Sequence, residues 1–233
     1  MAAINIFMTS PTEERLSVLK EYAKTVGCVT LPYGICPAGL EAFPQAVLLT
    51  GNDVPADLMQ KHPAATAVFS YTPVSCKLPN ILCDHQGQYI CLCMTPPDNR
   101  HFVPPGLTED WITTVQKALR DRDPETVTVE LCAGAYAVPF PYDGHYHTLT
   151  VSEALALAHR HGAVLSMNKN SYYSYFIHSF EGRPRVVFLS TPQHFRRLVE
   201  HFIRLGIKRF AVSDAEILDK EMKTVLSFFK NLP

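Results

Sequence analysis

Residues 151–213 run VSEALALAHRHG (151–162), AVLSM (163–167), NKNS (168–171), YYSYFIHSFEGRPRVVFLS (172–190), TPQHFRRLVEHFIRLG (191–206) and IKRFAVS (207–213). Apolar spacing predicts helix, strand, aromatic-rich hairpin, helix and strand, in that order. Ser152 is expected to open the first helix, with Leu155 and Ala158 turned inward. In 191–206, Phe195, Leu198, Val199, Phe202 and Ile203 recur at helical spacing and form the clearest apolar stripe in the chain. Gly206 stands where a helix ends on a left-handed residue. Ser213 is expected to cap a last helix that turns Leu218, Met222, Val225, Leu226 and Phe229 to the core.

Working toward the N-terminus, strand and helix patterns keep alternating, which argues for a parallel sheet in an α/β architecture. Residues 4–8 (INIFM) read as a buried strand. Ser10 is expected to cap a helix with Pro11 at its first position and Leu16, Leu19, Ala23 and Val26 on one stripe. Gly27 should end it. Residues 28–31, 46–50 and 65–71 read as further strands, with a short helix at 55–61. The middle differs: 81–94 reads as a hairpin turning near Gln86-Gly87. Thr108 should cap a helix carrying Trp111, Val115, Ala118 and Leu119 on one face. Residues 127–138 read as a strand leading to the loop PFPYDGHYH (139–147).

Composition narrows the function classes. The 233 residues carry 21 cations against 22 anions, so no basic excess exists to neutralise phosphates, and nucleic acid is not expected as a partner. No stretch of 18 apolar residues suggests a membrane span. The N-terminus lacks the features of a secretion signal. Seven cysteines, an odd number without framework spacing, fit reduced thiols, and a cytoplasmic location is expected.

Residues 102–213 resemble the C-terminal part of family 18 glycoside hydrolases, in the branch that remodels spore walls and peptidoglycan. VPPGLTEDWITTVQKAL (103–119) resembles the Pro-Gly stretch and Trp-bearing helix of that branch. DPETVTVELCAGAYAVPFPYD (123–143) resembles its next strand and second Pro-aromatic loop. Ser152, Glu153-Ala154, Leu157-Ala158 and Gly162-Ala163 resemble its S-x-x-E-A-x-x-L-A-x-x-x-G-A helix, with the serine-to-glutamate spacing shorter. What the resemblance implies is one α/β domain over 1–233, a shortened or irregular (β/α)8-type barrel. A small α+β insertion at 163–190, containing the aromatic hairpin, is implied with it.

The sequence departs from the family pattern where the family does its chemistry. The family's D-x-x-D-x-D-x-E string, whose glutamate protonates the glycosidic oxygen, has only Asp121-Arg122-Asp123-Pro124-Glu125 as a counterpart. That string follows a helix and carries a proline, so it reads as a solvated turn. Met94-Thr95-Pro96-Pro97 lacks the family's tyrosine and aspartate. The last-strand tryptophan stands as Phe210, which can stack on a sugar but cannot donate a hydrogen bond. Hydrolysis by the family mechanism is therefore not expected.

The expected function is non-catalytic binding of a cell-wall-type saccharide or a protein partner, with no cofactor. A groove is expected from Tyr136, Tyr142, Asp143, His145, Tyr172, Tyr175 and Phe210, aromatics stacking and Asp143 accepting hydroxyl protons. The alternative is an active hydrolase built around Asp143, His145 and His147, whose H-x-H spacing can hold a divalent metal. Cys76, Cys83, His85, Cys91 and Cys93 have the look of a zinc set, but they lack a C-x₂-C knuckle, and small buried apolar side chains are the favoured reading.

Overall fold

The computed structural model describes residues 3–8, 12–22, 25–31, 46–50, 65–70, 72–73, 81–83, 90–92, 120, 123–167, 173–230 and 232; in 46–92 the description is of backbone pairing. Among the described residues the chain is a mixed α/β structure with two sheets. The larger has nine strands: β1 (Ala3–Phe7), β2 (Val26–Leu31), β3 (Ala46–Thr50), β4 (Ala65–Ser70), β5 (Thr72–Pro73), β6 (Ile81–Cys83), β7 (Ile90–Leu92), β8 (Val127–Glu130) and β14 (Arg209–Ser213). Their spatial order is β4-β3-β2-β1-β14-β8-β7-β6-β5. From β4 to β7 every neighbour is parallel, and β5-β6-β7 finish the edge as an antiparallel meander. The apolar runs at 4–8 and 207–212 thus become adjacent central strands, Ile4 opposite Phe210 and Ile6 opposite Val212.

The barrel implied by the sequence does not close by hydrogen bonding, since β4 and β5 stand unpaired to each other at opposite ends of the sheet order. Yet one residue, Tyr71, separates Ser70 from Thr72.

The second sheet is antiparallel, in the order β10-β9-β13-β12-β11. It comprises β9 (Ala135–Pro139), β10 (His147–Leu149), β11 (Ser166–Met167), β12 (Ser174–Phe180) and β13 (Arg183–Leu189). Two of its strands thus come from before residue 163. The single strand expected over 127–138 is in fact two. Residues 127–130 belong to the parallel sheet, whereas 135–139 join the antiparallel one, with the crossover at 131–134. There the chain leaves β8 after one last ladder bond, Leu131 N–H to the Ala211 carbonyl at 2.8 Å.

Helices cover the sheets. α1 (Glu13–Lys20) is capped by Thr12, which accepts from Arg15 N–H at 3.2 Å, two residues beyond the expected Ser10. α2 (Val151–Arg160) is capped by Thr150 in a reciprocal capping box with Glu153, not by Ser152. Ser152 instead donates to Asp219 at 2.9 Å. α3 (Pro192–Arg204) buries Phe195, Leu198, Val199 and Phe202, the stripe read from its spacing. It ends as expected on Gly206 at φ +88°, where a side chain would also press on Pro124. The expected last helix is broken in two, α4 (Asp214–Ile217) and α5 (Lys223–Phe229), with Met222 buried between them.

One apolar core joins the layers. Ile4, Ile6, Val129, Phe210 and Val212 of the parallel sheet meet Phe195 and Phe202 of α3 and Phe229 of α5, and the same cluster continues through Ala154 of α2 to Phe176, Val187 and Leu189. The expected helices at 55–61 and 108–119 and the cysteine set at 76–93 lie outside the described residues, apart from the backbone of β6 and β7.

Candidate functional site

In α/β sheets, ligands are held at the carboxyl ends of the parallel strands. Here the ends of β8 and β14 bring together side chains that are far apart in sequence. Glu216, in α4 just past β14, accepts the Ala133 backbone N–H at 2.7 Å and lies 3.9 Å from the Cys132 sulfur. Two residues before Glu216, Asp214 is fully buried and holds the Arg15 guanidinium at 2.7 Å. Gly134 makes the approach of Glu216 feasible, because a Cβ there would sit 2.9 Å from the carboxylate oxygen. Burial pushes the Tyr136 hydroxyl well above its ordinary range, helped by Cys132 and the negative charge of Glu216.

From this corner the antiparallel sheet extends with two chemically different faces. Paired residues across an antiparallel ladder point to the same side. Tyr136 pairs with Phe188 and Val138 with Val186, while Phe188 pairs with Tyr175 and Val186 with Ile177. That face is aromatic. Tyr136 meets Tyr146 edge-on at 5.3 Å, Tyr173 meets Phe188 edge-on at 5.4 Å, and Tyr142 packs on the same cluster. The opposite face carries Ala135, Ala137, Val187, Leu189 and Phe176 into the helix-covered core.

Beyond the reach of the helices, this second face opens into a cavity of about 380 Å³ lined by Pro139, Asp143, His145, His147, Phe180, Glu181, Arg183 and Arg185. Asp143 accepts the His145 backbone N–H at 3.0 Å, which holds its carboxyl below the ordinary range. The His145 ring lies 3.5 Å from the same carboxylate.

The expected groove therefore divides. Tyr136, Tyr142 and Tyr175 do gather on one face, whereas Asp143 and His145 line the cavity on the other. Phe210 joins neither. It is fully buried against Phe202 and Phe229 and offers no ring face to a ligand. The physical reason is register: Phe210 points into the layer between β14 and the helices, where an aromatic ring fills the core. Tyr172 lies outside the described residues. Among the described residues no three His, Cys, Asp or Glu side chains converge as a metal-ligand set, so Asp143, His145 and His147 are not gathered as the metal version of the alternative requires. Asp123 caps a short 3-10 turn, and Glu125 pairs with Lys208, which makes the described part of that acidic string, 123–125, a structural turn.

Glu216, Cys132, Arg183 and Arg185 escaped the sequence reading. A local signal existed for Glu216 and for the two arginines, though none for Cys132. Ser-Asp-Ala-Glu directly follows a predicted parallel strand, and Arg-Pro-Arg places two cations on one strand face by period two.

Among the described residues His178 and His194 are buried and His201 is half-buried. Burial lowers the affinity of His178, His194 and His201 for a proton, with Arg185 and His161 adding to the effect at His178. A histidine that is harder to protonate when folded binds more protons when unfolded. Stability should then rise with pH through the range between the depressed folded value and about 6.5, and fall on acidification. Thermal melts between pH 7.5 and 5 should show Tm dropping with pH. His178→Leu, which removes one such group beside Phe176, should flatten that slope; an unchanged slope would assign the effect elsewhere.

No family model matches the sequence, and the search of curated proteins finds no match. Solved structures do match. The C-terminal domain of a chitinase, named as putative, from Desulfitobacterium hafniense DCB-2 superposes with TM-score 0.71 at 10% identity, covering 98% of each chain. A chitinase from Chromobacterium violaceum ATCC 12472 gives 0.68 at 10% identity over 100% of both chains. The Bacillus cereus spore cortex-lytic enzyme SleL gives 0.68 at 9% identity, covering 97% of this chain and 74% of that one. The likeness to chitinase and SleL folds runs over nearly the whole chain, not only its C-terminal half, while closure of the sheet into a barrel is not seen among the described residues. At this identity the likeness establishes the fold alone.

Proposed function

We propose that this protein binds a neutral chitin-like or cell-wall-type saccharide along the aromatic face of the antiparallel sheet and does not cleave it by the family mechanism. The observation that carries this reading is the gathering of Tyr136, Tyr146, Tyr175 and Phe188 on one sheet face that begins at the carboxyl ends of β8 and β14. Aromatic faces with polar tips suit sugar rings, which present C–H patches and hydroxyls together. Tyr175 and Phe188 are half-buried and supply the stacking surface; Tyr136 is buried and supports Tyr146 from below. The chitinase and SleL folds support a saccharide as the ligand class.

The fold itself reads as a shortened single-domain barrel. Ser70 and Thr72 are at most about 7 Å apart along the chain, so the two edges of the nine-stranded sheet meet at a corner, and the ring would be completed by the backbone instead of by a ladder. The odd cysteine count and a buried Cys132 support a reducing, cytoplasmic setting.

The test is calorimetric titration with chitotetraose, with retention on purified peptidoglycan as a second readout. Wild-type binding that weakens about tenfold or more in Tyr175→Ala, at unchanged Tm, is the expected outcome. Failure of the folded wild type to bind either saccharide would refute it. Hydrolysis of chitotetraose that is lost in Glu216→Gln would overturn the non-catalytic part, because Glu216 is a described carboxylate at the strand-end corner.

A further inference from the structure

The 380 Å³ cavity on the other face of the antiparallel sheet is a separate site. It lies at the far end of β9, four residues from Ala135, roughly 13 Å along the strand from the strand-end corner. Residues 135, 137 and 139 share a face, as do 183, 185, 187 and 189, so Pro139, Arg183 and Arg185 point away from Tyr136 and Phe188. The aromatic face and the cavity cannot hold the same part of one ligand.

We infer that this cavity binds a compact oxyanion-bearing ligand, a carboxylate or a phosphate, between Arg183, Arg185 and His147. Among the described residues neither arginine is ion-paired. Arg185 is held in place by Phe180, whose ring lies 4.5 Å below its guanidinium carbon, so its fork of donors is oriented before any ligand arrives. Arg183 stands opposite Phe180 across the hairpin, which places both cations along one wall.

Of the two acids in the lining, Asp143 is engaged by His145 through its backbone N–H and ring. It steadies that loop more than it cancels the arginines. Glu181 is the second, and its backbone is unusual. The turn Glu181-Gly182 has φ of +51° and +74°, a pair that Asn, Asp and Gly adopt far more easily than Glu. A glutamate in this backbone conformation and lining the cavity fits a group that accepts from ligand hydroxyls or amines beside the oxyanion. Phe180 and Pro139 supply the apolar remainder. A few hundred cubic ångströms suits a monosaccharide acid or an amino-acid-sized molecule.

The experiment titrates the full-length protein with sodium D-glucuronate, inorganic phosphate and neutral N-acetylglucosamine by calorimetry, in wild type, Arg183→Gln/Arg185→Gln and Tyr175→Ala. The expected result is saturable binding of glucuronate or phosphate that weakens with added NaCl. That binding should fall at least tenfold in the double arginine variant and be unchanged in Tyr175→Ala. Glucuronate binding alone assigns the carboxylate source, and phosphate binding alone assigns the phosphate. Since Arg183 is exposed and Arg185 partly so, circular dichroism should show the variant folded. Absence of binding of both anions to wild type, or equal binding to the double variant, overturns the inference. The saccharide reading of the aromatic face stands or falls separately, on chitotetraose and Tyr175.

Discussion

Phe210→Ala is expected to lower stability by about 4 kcal/mol, a loss in the range measured for buried phenylalanines truncated to alanine. The ring is fully buried, with neighbours at 6.5 Å (Phe202) and 5.9 Å (Phe229), and it lies on the strand between β1 and β8, so the surrounding layers have little freedom to collapse into the void. For a chain of this length the shift in Tm would be roughly 10 °C. Phe210→Leu, which keeps most of the volume, should lose about 1 kcal/mol and leave chitotetraose binding unchanged. A thermal melt of both variants beside a binding titration checks this. The opposite pattern, with binding lost in Phe210→Leu at wild-type Tm, would place the ring in a groove and contradict the packing described above.

Gly134→Val should rank second, at about 3 kcal/mol. A side chain there meets Glu216 at 2.9 Å, and that carboxylate is not free to swing away, because it accepts the Ala133 N–H at 2.7 Å. Valine would displace it, leaving a partly buried N–H without its acceptor and crowding the corner where the chain passes between sheets. Glu216→Gln keeps an acceptor for Ala133 and should lose less than about 1 kcal/mol. Tm values for the two variants separate steric displacement from loss of charge. Equal losses in both would mean that the negative charge, not the close approach, holds the corner.

These two positions also mark what was legible in the sequence. Apolar periodicity identified the central strands 4–8 and 207–213, the stripe of α3 and the glycine that ends it, because those signals are local and strong. The alternation in YSYFIHSF and RPRVVFLS gave the hairpin β12–β13. Caps were misplaced by two residues because Ser10 and Thr12, and likewise Thr150 and Ser152, are chemically interchangeable before the backbone chooses. The break between β8 and β9 was hidden, since residues 131–138 are all buried and show no change of period at the switch from one sheet to the other. Aromatic residues could be nominated for a ligand face but not sorted between surface and core. Phe210 and Tyr175 look alike in a sequence, and only the register of β14 against the helices and of β12 against β13 tells them apart. The corner formed by Glu216, Cys132 and Gly134 depends on contacts more than 80 positions apart, which no local pattern encodes.

The crossover at Gly134 has one more implication. The chain departs for the antiparallel sheet at Gly134 and returns at Ser190, and the two points touch through the Ser190 N–H and the Gly134 carbonyl at 3.1 Å. Fifty-odd residues are thus looped out from neighbouring anchor points, like a branch grafted at one node. Lengthening or trimming the distal Glu181-Gly182 tip would reshape whatever it grips without rethreading the trunk. Severing the branch at its base would strip the shared interior of Phe176, Val187 and Leu189. Variation among related chains should therefore concentrate at the tip and spare the node.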